Sequence, residues 1–576
     1  MRTFRVWAPF AEKVELGIEG RWIPMSPTGR GWWRVETDAA PGADYVFRLD
    51  GGEPRPDPRS PWQPEGVHGP SRVVDHTSFP WTDQYWQSSP LPSAIIYELH
   101  IGTFTEEGTF DSAIRSLDHL VELGITHIDI MPVNEFAGLR GWGYDGVDVY
   151  APHHAYGGPN GLKRLVNACH ERGLGVILDV VYNHFGPVGN YLAEFGPYFS
   201  KDYSTPWGPA VNLVEPWSDE VRRFIVDNAL MWLRDYHIDG LRVDGVHALV
   251  DTSALNIMEQ LASEVETLSA RAGRHHFVIG ESDLNDPRLI QPRETGGYGV
   301  DAQWSGDFHH VLHVLLTGER DGYYIDYGGL DDLAKALRQS FVYDNRFSSF
   351  RMRRFGRKPA GVSGHRFVSF LQNHDQIGNR ARGDRMAHIA GERRQKLGAG
   401  LLFASPFIPL LFQGEEWAAT TPFQYFTSYD DERTAKRVRE GRRQEFASFG
   451  WDPEEVPDPQ DEETFLRSKL AWDEVSEEPH RSMLDWYRKL IRLRRSSDDL
   501  SDGDMNGVAT RFVDTQQWFV VERGQVSVIV NFGEAPQTVP LSPERPRRPL
   551  LASEPGLTVH DERVEMPPVA IAFLGT

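Results

Sequence analysis

The chain has 576 residues, 40% hydrophobic and 25% charged, which is folded-protein usage and excludes disorder over its whole length. With 60 Lys and Arg against 83 Asp and Glu, the net charge is −23, so a nucleic-acid backbone is excluded as an electrostatically favoured partner. The single cysteine, Cys169, cannot form an internal disulfide.

Residues 1–88 read as a small β-sandwich module. FRVWAP, VELGI, WWRVE and YVFRLD are short β-branched and aromatic runs separated by Gly/Pro turns. The polar stretch DQYWQSSPLPS marks a boundary. From Ala94 the pattern changes. AIIYELHI, THIDIMPV and GLGVILDVVYN show little polar alternation, and the amphipathic segments FDSAIRSLDHLVELG and GLKRLVNACHERG separate them. Unalternated strands between amphipathic helices mean a parallel sheet covered on both faces. A long helix over Ser218–His237 follows, then strands near Leu241, Ile279, Ala302, Phe370 and Leu410. With those near Ile96, Ile128 and Ile177 they number eight, so an α/β fold of the TIM (β/α)8 barrel type is expected over 89–498. The inserted loop region falls at about 183–217. LGAGLLFASPFIPLLFQ, broken by Pro406 and Pro409, reads as a buried helix and strand rather than a membrane span. Alternating runs after Asp502, among them QWFVVERG, VSVIVNF and AIAFLG, predict a carboxy-terminal antiparallel β domain over 499–576. MRTFRVWAPF lacks an apolar signal-peptide core, so a soluble cytoplasmic protein without membrane partners is expected.

In a TIM barrel, catalytic groups sit at the carboxyl ends of the strands. Asp179, Asp244, Glu281 and Asp375 fall at or near such ends, spaced by 65, 37 and 94 residues. A βα unit takes roughly thirty to forty residues, which puts Asp244 and Glu281 on adjacent strands. The longer gaps hold the inserted loop and the strand VDAQW. Each acid alone is more simply a cap or turn residue, and Arg242 more simply a salt-bridge partner. Four acids on one barrel mouth, two of them close to His184 and His374, point instead to an active site. Glycosidic cleavage needs one ionised and one protonated carboxyl beside the scissile bond. Arg242, two residues before Asp244 and on the same strand face, would keep Asp244 ionised as nucleophile. Glu281 would keep its proton as general acid, and Asp375 would bind sugar hydroxyls. Asp179, deeper in its strand, reads as a hydrogen-bond partner that orients Arg242. His309 and His313, one helical turn apart, lack the HExxH glutamate and read as packing or hydroxyl-binding residues rather than a metal pair.

DVVYNH, GLRVDGVH, GESD and FLQNHD resemble, in order and spacing, the four signature regions of the α-amylase family of glycoside hydrolases. The resemblance implies Asp244 as nucleophile, Glu281 as general acid/base and Asp375 as transition-state stabiliser, with Arg242, His184 and His374 around the cleaved sugar. Tyr144 in WGYDGVDVYAP resembles the tyrosine that stacks on that sugar. Within the family, FRVWAP, YELHIGTFTEEGTF and MPVNEFAGLRGWGYDGV occur in branching enzymes and in malto-oligosyltrehalose trehalohydrolases. TPWGPAVN, GESDLNDPRLI and DFHHVLHVLLTGERDGYY are similar to the latter. This implies hydrolysis of the α-1,4 bond between trehalose and a malto-oligosaccharide, with malto-oligosyltrehalose and related α-glucans as partners. No cysteine-rich or calcium-binding cluster is evident, so no cofactor and no required metal are expected, and a monomer or weak homodimer is expected. A 1,4-α-glucan branching enzyme is the alternative, and a non-catalytic glucan-binding barrel a further one. Position alone suggests Trp207, Phe347, Phe355 and Glu415 as selectivity residues. Gly245 replaces an alanine common in related sequences, with altered packing rather than lost activity expected.

Overall fold

The computed structural model describes residues 1–447, 451, 453–545 and 547–576. Its centre is a closed barrel of eight strands. In chain order these are β1 (Ile96–Leu99), β2 (His127–Ile130), β3 (Gly175–Val180), β4 (Gly240–Val243), β5 (Phe277–Gly280), β6 (Ala302–Trp304), β7 (Phe367–Phe370) and β8 (Ile408–Phe412). Every residue of every one of them is buried, as the missing alternation requires for strands with apolar contact on both faces. The pairing is parallel throughout, with β8 closing onto β1 through Leu410 beside Ile96.

Register decides which side chains meet inside. Glu98 pairs with Asp129 across β1 and β2, and Asp179 with Arg242 across β3 and β4. These four polar residues lie at most 2% exposed in an otherwise apolar barrel. Arg242, Asp179 and Glu98 are held by ion pairs and hydrogen bonds, whereas burial raises the Asp129 pKa and favours its neutral form.

The helix Ile257–Ala272 starts on Asn256, whose side chain accepts from the Met258 amide, and ends at Gly273 with φ 64°. One expected helix is two. FDSAIRSLDHLVELG divides into Phe110–Ile114 and Leu117–Leu123, the first capped by Thr109 and the second ended by Gly124.

Before the barrel, two antiparallel sheets face each other. Arg2–Trp7 pairs with Trp32–Thr37, and Val14–Ile18 pairs with Asp44–Leu49. Phe4, Val6, Leu16 and Phe47 are buried in the same core. After it, a five-stranded and a three-stranded antiparallel sheet pack through Val520, Ile529, Val539 and Val564. Within the stretch between β3 and β4, Phe199–Thr205 and Gly208–Val211 form a hairpin with Trp207 at its tip. No helix among the described residues is long and apolar enough to cross a membrane.

Candidate active site

Arg242 is the organising cation. It is wholly buried, and its guanidinium carbon lies 4.2 Å from the Trp304 ring centre. Nη1 donates to Asp179 Oδ2 at 2.6 Å and to Asp244 Oδ1 at 3.0 Å. Nη2 lies 3.9 Å from Glu281 Oε2, within ion-pair range but beyond a hydrogen bond. One guanidinium therefore serves three carboxyl groups, and it serves Asp244 more closely than Glu281. The strand explains this: Arg242 and Asp244 are two residues apart and share a face where β4 ends.

The two carboxyl groups are anchored separately. Asn183 Nδ2 donates to the second Asp244 oxygen at 2.9 Å, and the Gly245 amide donates to Glu281 Oε2 at 2.7 Å. Gly245 reaches that bond with φ 48°, and a Cβ there would lie 2.1 Å from Asn183 Nδ2. An alanine would thus displace the amide that holds Asp244, a more direct consequence than general repacking. The side chains of Asp244 and Glu281 remain 15% and 25% exposed, so both reach the cleft. Burial raises the Glu281 pKa, and the charges of Asp244 and Asp375 add to it against the opposing pull of Arg242. Burial likewise pushes Asp179 up to about 7 despite Arg242.

His374 begins the short helix His374–Gly378 that follows β7. Its backbone amide donates to Glu98 Oε2 at 3.0 Å, while Nδ1 bonds Glu98 Oε1. Nε2 is 2.8 Å from Tyr144 Oη, and Tyr144 Oη donates to Asp179 Oδ2 at 2.6 Å. The Tyr144 and His374 rings stack at 5.1 Å. Burial disfavours protonation of His374, yet Glu98 and Asp375 lift its pKa to about 9. A histidine raised from 6.5 to about 9 by folding stabilises the fold fully below 6.5, and that contribution is lost as pH rises through 9. Thermal unfolding of Glu98→Gln beside the wild type checks this. The variant is expected to be less stable at neutral pH, and the gap to narrow as pH rises through about 9.

Asp244, Glu281, Arg242, Tyr144 and His374 thus belong to one contact network, and Asp375 Oδ1 joins it 3.6 Å from His374 Nε2. Asp375 is the most exposed of the acids, with 44% of its side chain open and Asn379 Nδ2 bonded to it at 3.0 Å. His184 joins through Asn183 Oδ1 and stacks under Trp207 with ring centres 5.0 Å apart. Burial lowers its pKa, which favours the neutral ring.

Two suggested selectivity residues are buried. Glu415 is completely buried in the turn after β8, where Tyr487 of the helix His480–Arg495 donates to it at 2.9 Å. Phe355 is buried under the Arg351 guanidinium at 4.2 Å. Trp207 and Phe347 are exposed. His309 and His313 are engaged in packing: His309 Nδ1 donates to the Leu371 carbonyl at 2.6 Å, and His313 Nε2 pairs with Glu319 at 2.8 Å. The residues that sequence reasoning passed over are Glu98, Asn183 and Trp304. Glu98 lies one residue before the end of β1 and Trp304 ends β6, positions close to the signal that singled out Asp244, and Asn183 lies inside the DVVYNH motif.

A cleft acid with a raised pKa, beside a second carboxylate that is held against a cation at a barrel mouth, defines a glycoside hydrolase of the α-amylase type. The family model for the alpha amylase catalytic domain matches residues 78–207, and a domain of unknown function, DUF3459, matches 506–573. The malto-oligosyltrehalose trehalohydrolase of Rhizobium sp. (strain M-11) is 48% identical, aligned over 99% of this chain and 97% of its own. That of Saccharolobus solfataricus is 44% identical over 86% of this chain and 85% of its own. A Salmonella typhimurium structure provisionally named an alpha amylase superposes with a TM-score of 0.91 at 38% identity, covering 100% of this chain and 97% of that one. A branching enzyme of Pseudoalteromonas atlantica is 30% identical over only 54% of the chain and 49% of its own. The chain belongs to the malto-oligosyltrehalose trehalohydrolase family.

Proposed function

We propose that this enzyme hydrolyses the α-1,4 bond joining trehalose to a malto-oligosaccharide, by retaining double displacement. Asp244 attacks the anomeric carbon while Glu281 gives its proton to the departing O4 of trehalose, leaving a glycosyl ester on Asp244. Glu281, now ionised, takes a proton from water, and the oxygen of that water displaces Asp244 and restores both groups. Asp375 hydrogen-bonds the hydroxyls of the sugar in the oxocarbenium-like transition state. His374, His184 and Tyr144 hold the same ring, with His374 cationic and His184 neutral. Aspartate, glutamate and water account for every bond and proton, so the chemistry calls for no cofactor.

The observation that carries this reading is the unequal reach of Arg242, 3.0 Å from Asp244 but 3.9 Å from Glu281. Next to Glu281 and Asp375 lies a cavity of about 250 Å³ bounded by His310, Tyr323, Phe350 and Arg351. It provides room on the acid's side for a leaving disaccharide. Arg351 is fixed there by two 2.8 Å bonds to Asp283, and Phe350 is half exposed.

Incubation with maltotriosyl trehalose and, separately, with amylose tests the assignment. Free trehalose and maltotriose are expected from the first, with no new α-1,6 branches from the second. Branch formation without trehalose release would favour the transferase reading. If Phe350 is part of the leaving-group site, Phe350→Ala raises KM for maltotriosyl trehalose about tenfold. Hydrolysis of uncapped maltopentaose should change less, and steady-state kinetics on both substrates checks the difference.

A further inference from the structure

We propose that Glu135, His153 and His154 form a binding site for a divalent transition-metal ion of the zinc class, outside the catalytic cleft, which staples the loop that carries Tyr144.

The three residues come from the hairpin between β2 and the following helices. Asn134–Phe136 pairs with Gly146–Pro152, and the connection between these strands contains Tyr144. His153 follows the second strand directly, and its amide returns to the Val133 carbonyl at 2.7 Å. One ligand atom from each of Glu135, His153 and His154 falls within 4.8 Å of the others. Glu135 and His153 are fully buried, while the His154 side chain is 23% exposed and opens a path to solvent.

The signal is an unmet valence. Neither ring nitrogen of His153 has a hydrogen-bond partner, although the ring is fully buried. Its Nδ1 sits 3.0 Å from Glu135 Oε1 without hydrogen-bond alignment. The close contact supplies attraction but no directed bond, in conflict with the usual pairing of a buried imidazole and carboxylate. A divalent cation between them removes the conflict. His154 Nδ1 hydrogen-bonds the same oxygen at 2.7 Å, so both imidazoles converge on Glu135 Oε1. The outer shell is in place as well, since the His154 amide donates to Glu135 Oε2 at 2.8 Å and fixes the carboxylate. Asp148, opposite Glu135 in the hairpin, is a second buried carboxyl, and its Oδ2 has no partner. Two imidazoles and a carboxylate suit zinc better than calcium or magnesium, which favour oxygen ligands. Zinc bonds of roughly 2.0–2.2 Å would open the present contacts by a few tenths of an ångström. The exposed edge of His154 leaves the fourth position to water.

The full-length protein, stripped with a chelator and titrated with zinc by calorimetry, decides the matter. One tight equivalent per chain is expected, with a higher Tm and, after cobalt substitution, the visible absorption of a low-coordinate site. His154→Ala should lose that equivalent and the Tm rise while keeping its kcat on maltotriosyl trehalose. His154→Asn provides a second variant should the first fold poorly. Absence of stoichiometric binding in the wild type, or its survival in both variants, would overturn the proposal.

Discussion

Glu281→Gln is expected to lower kcat on maltotriosyl trehalose by about four orders of magnitude or more, with unfolding unchanged. The amide keeps the shape of the carboxyl and an oxygen to accept from the Gly245 amide, but it has no proton to give the leaving oxygen. The loss should depend on the leaving group. α-Maltosyl fluoride needs no acid, so formation of the glycosyl-enzyme from it is expected to survive in Glu281→Gln. Azide should then replace water and yield a product of retained configuration. Asp244→Asn is expected to be inert toward both substrates, because nothing remains to attack the anomeric carbon. Single-turnover measurements on the two variants check this contrast. Equal loss on both substrates by Glu281→Gln would remove it from the acid role.

The second large effect concerns Arg242. Arg242→Met leaves Asp179, Asp244 and Glu281 facing one another in a site that excludes most water. Stripping one partner from a buried ion pair costs about 3–5 kcal/mol, so urea unfolding should show a loss of that order. Activity should fall at least about a thousandfold, since carboxyl groups that repel one another cannot keep the division between ionised and protonated. The guanidinium pulls the pKa values of both Glu281 and Asp179 downward. Its removal should therefore raise both, moving any residual alkaline limb of the pH profile upward. Arg242→Lys should rescue little, because a point charge cannot reach Asp179, Asp244 and Glu281 together.

The barrel strands were legible because burial on both faces erases polar alternation, and that erasure is visible in GLGVILDVVYN without any structure. Asp244 and Glu281 were legible as members of a set: either acid alone reads as a cap or turn residue, but four acids at strand ends, two of them 37 residues apart, which is the length of one βα unit, belong to one barrel mouth. Arg242 followed from strand periodicity alone. Closure of the barrel hid Glu98, since only the meeting of β8 with β1 brings it beneath His374, 276 residues later. Asn183 was hidden because its amide bonds Asp244 across two strands that the inserted loop separates in sequence. Glu415 misled for the opposite reason. Its place just past β8 suggested the cleft, but the turn Glu415–Trp417 folds outward against Tyr487. Chain position marks the end of a strand, whereas the direction of the next turn depends on a helix some seventy residues later.

Reaction through a covalent ester at Asp244 requires two inversions at one carbon. Proton NMR of the malto-oligosaccharide released in the first minutes, before mutarotation, reads the outcome directly. The new reducing end should appear first as the α-anomer. Initial release of the β-anomer would mean direct attack by water and would contradict the assignment of Asp244.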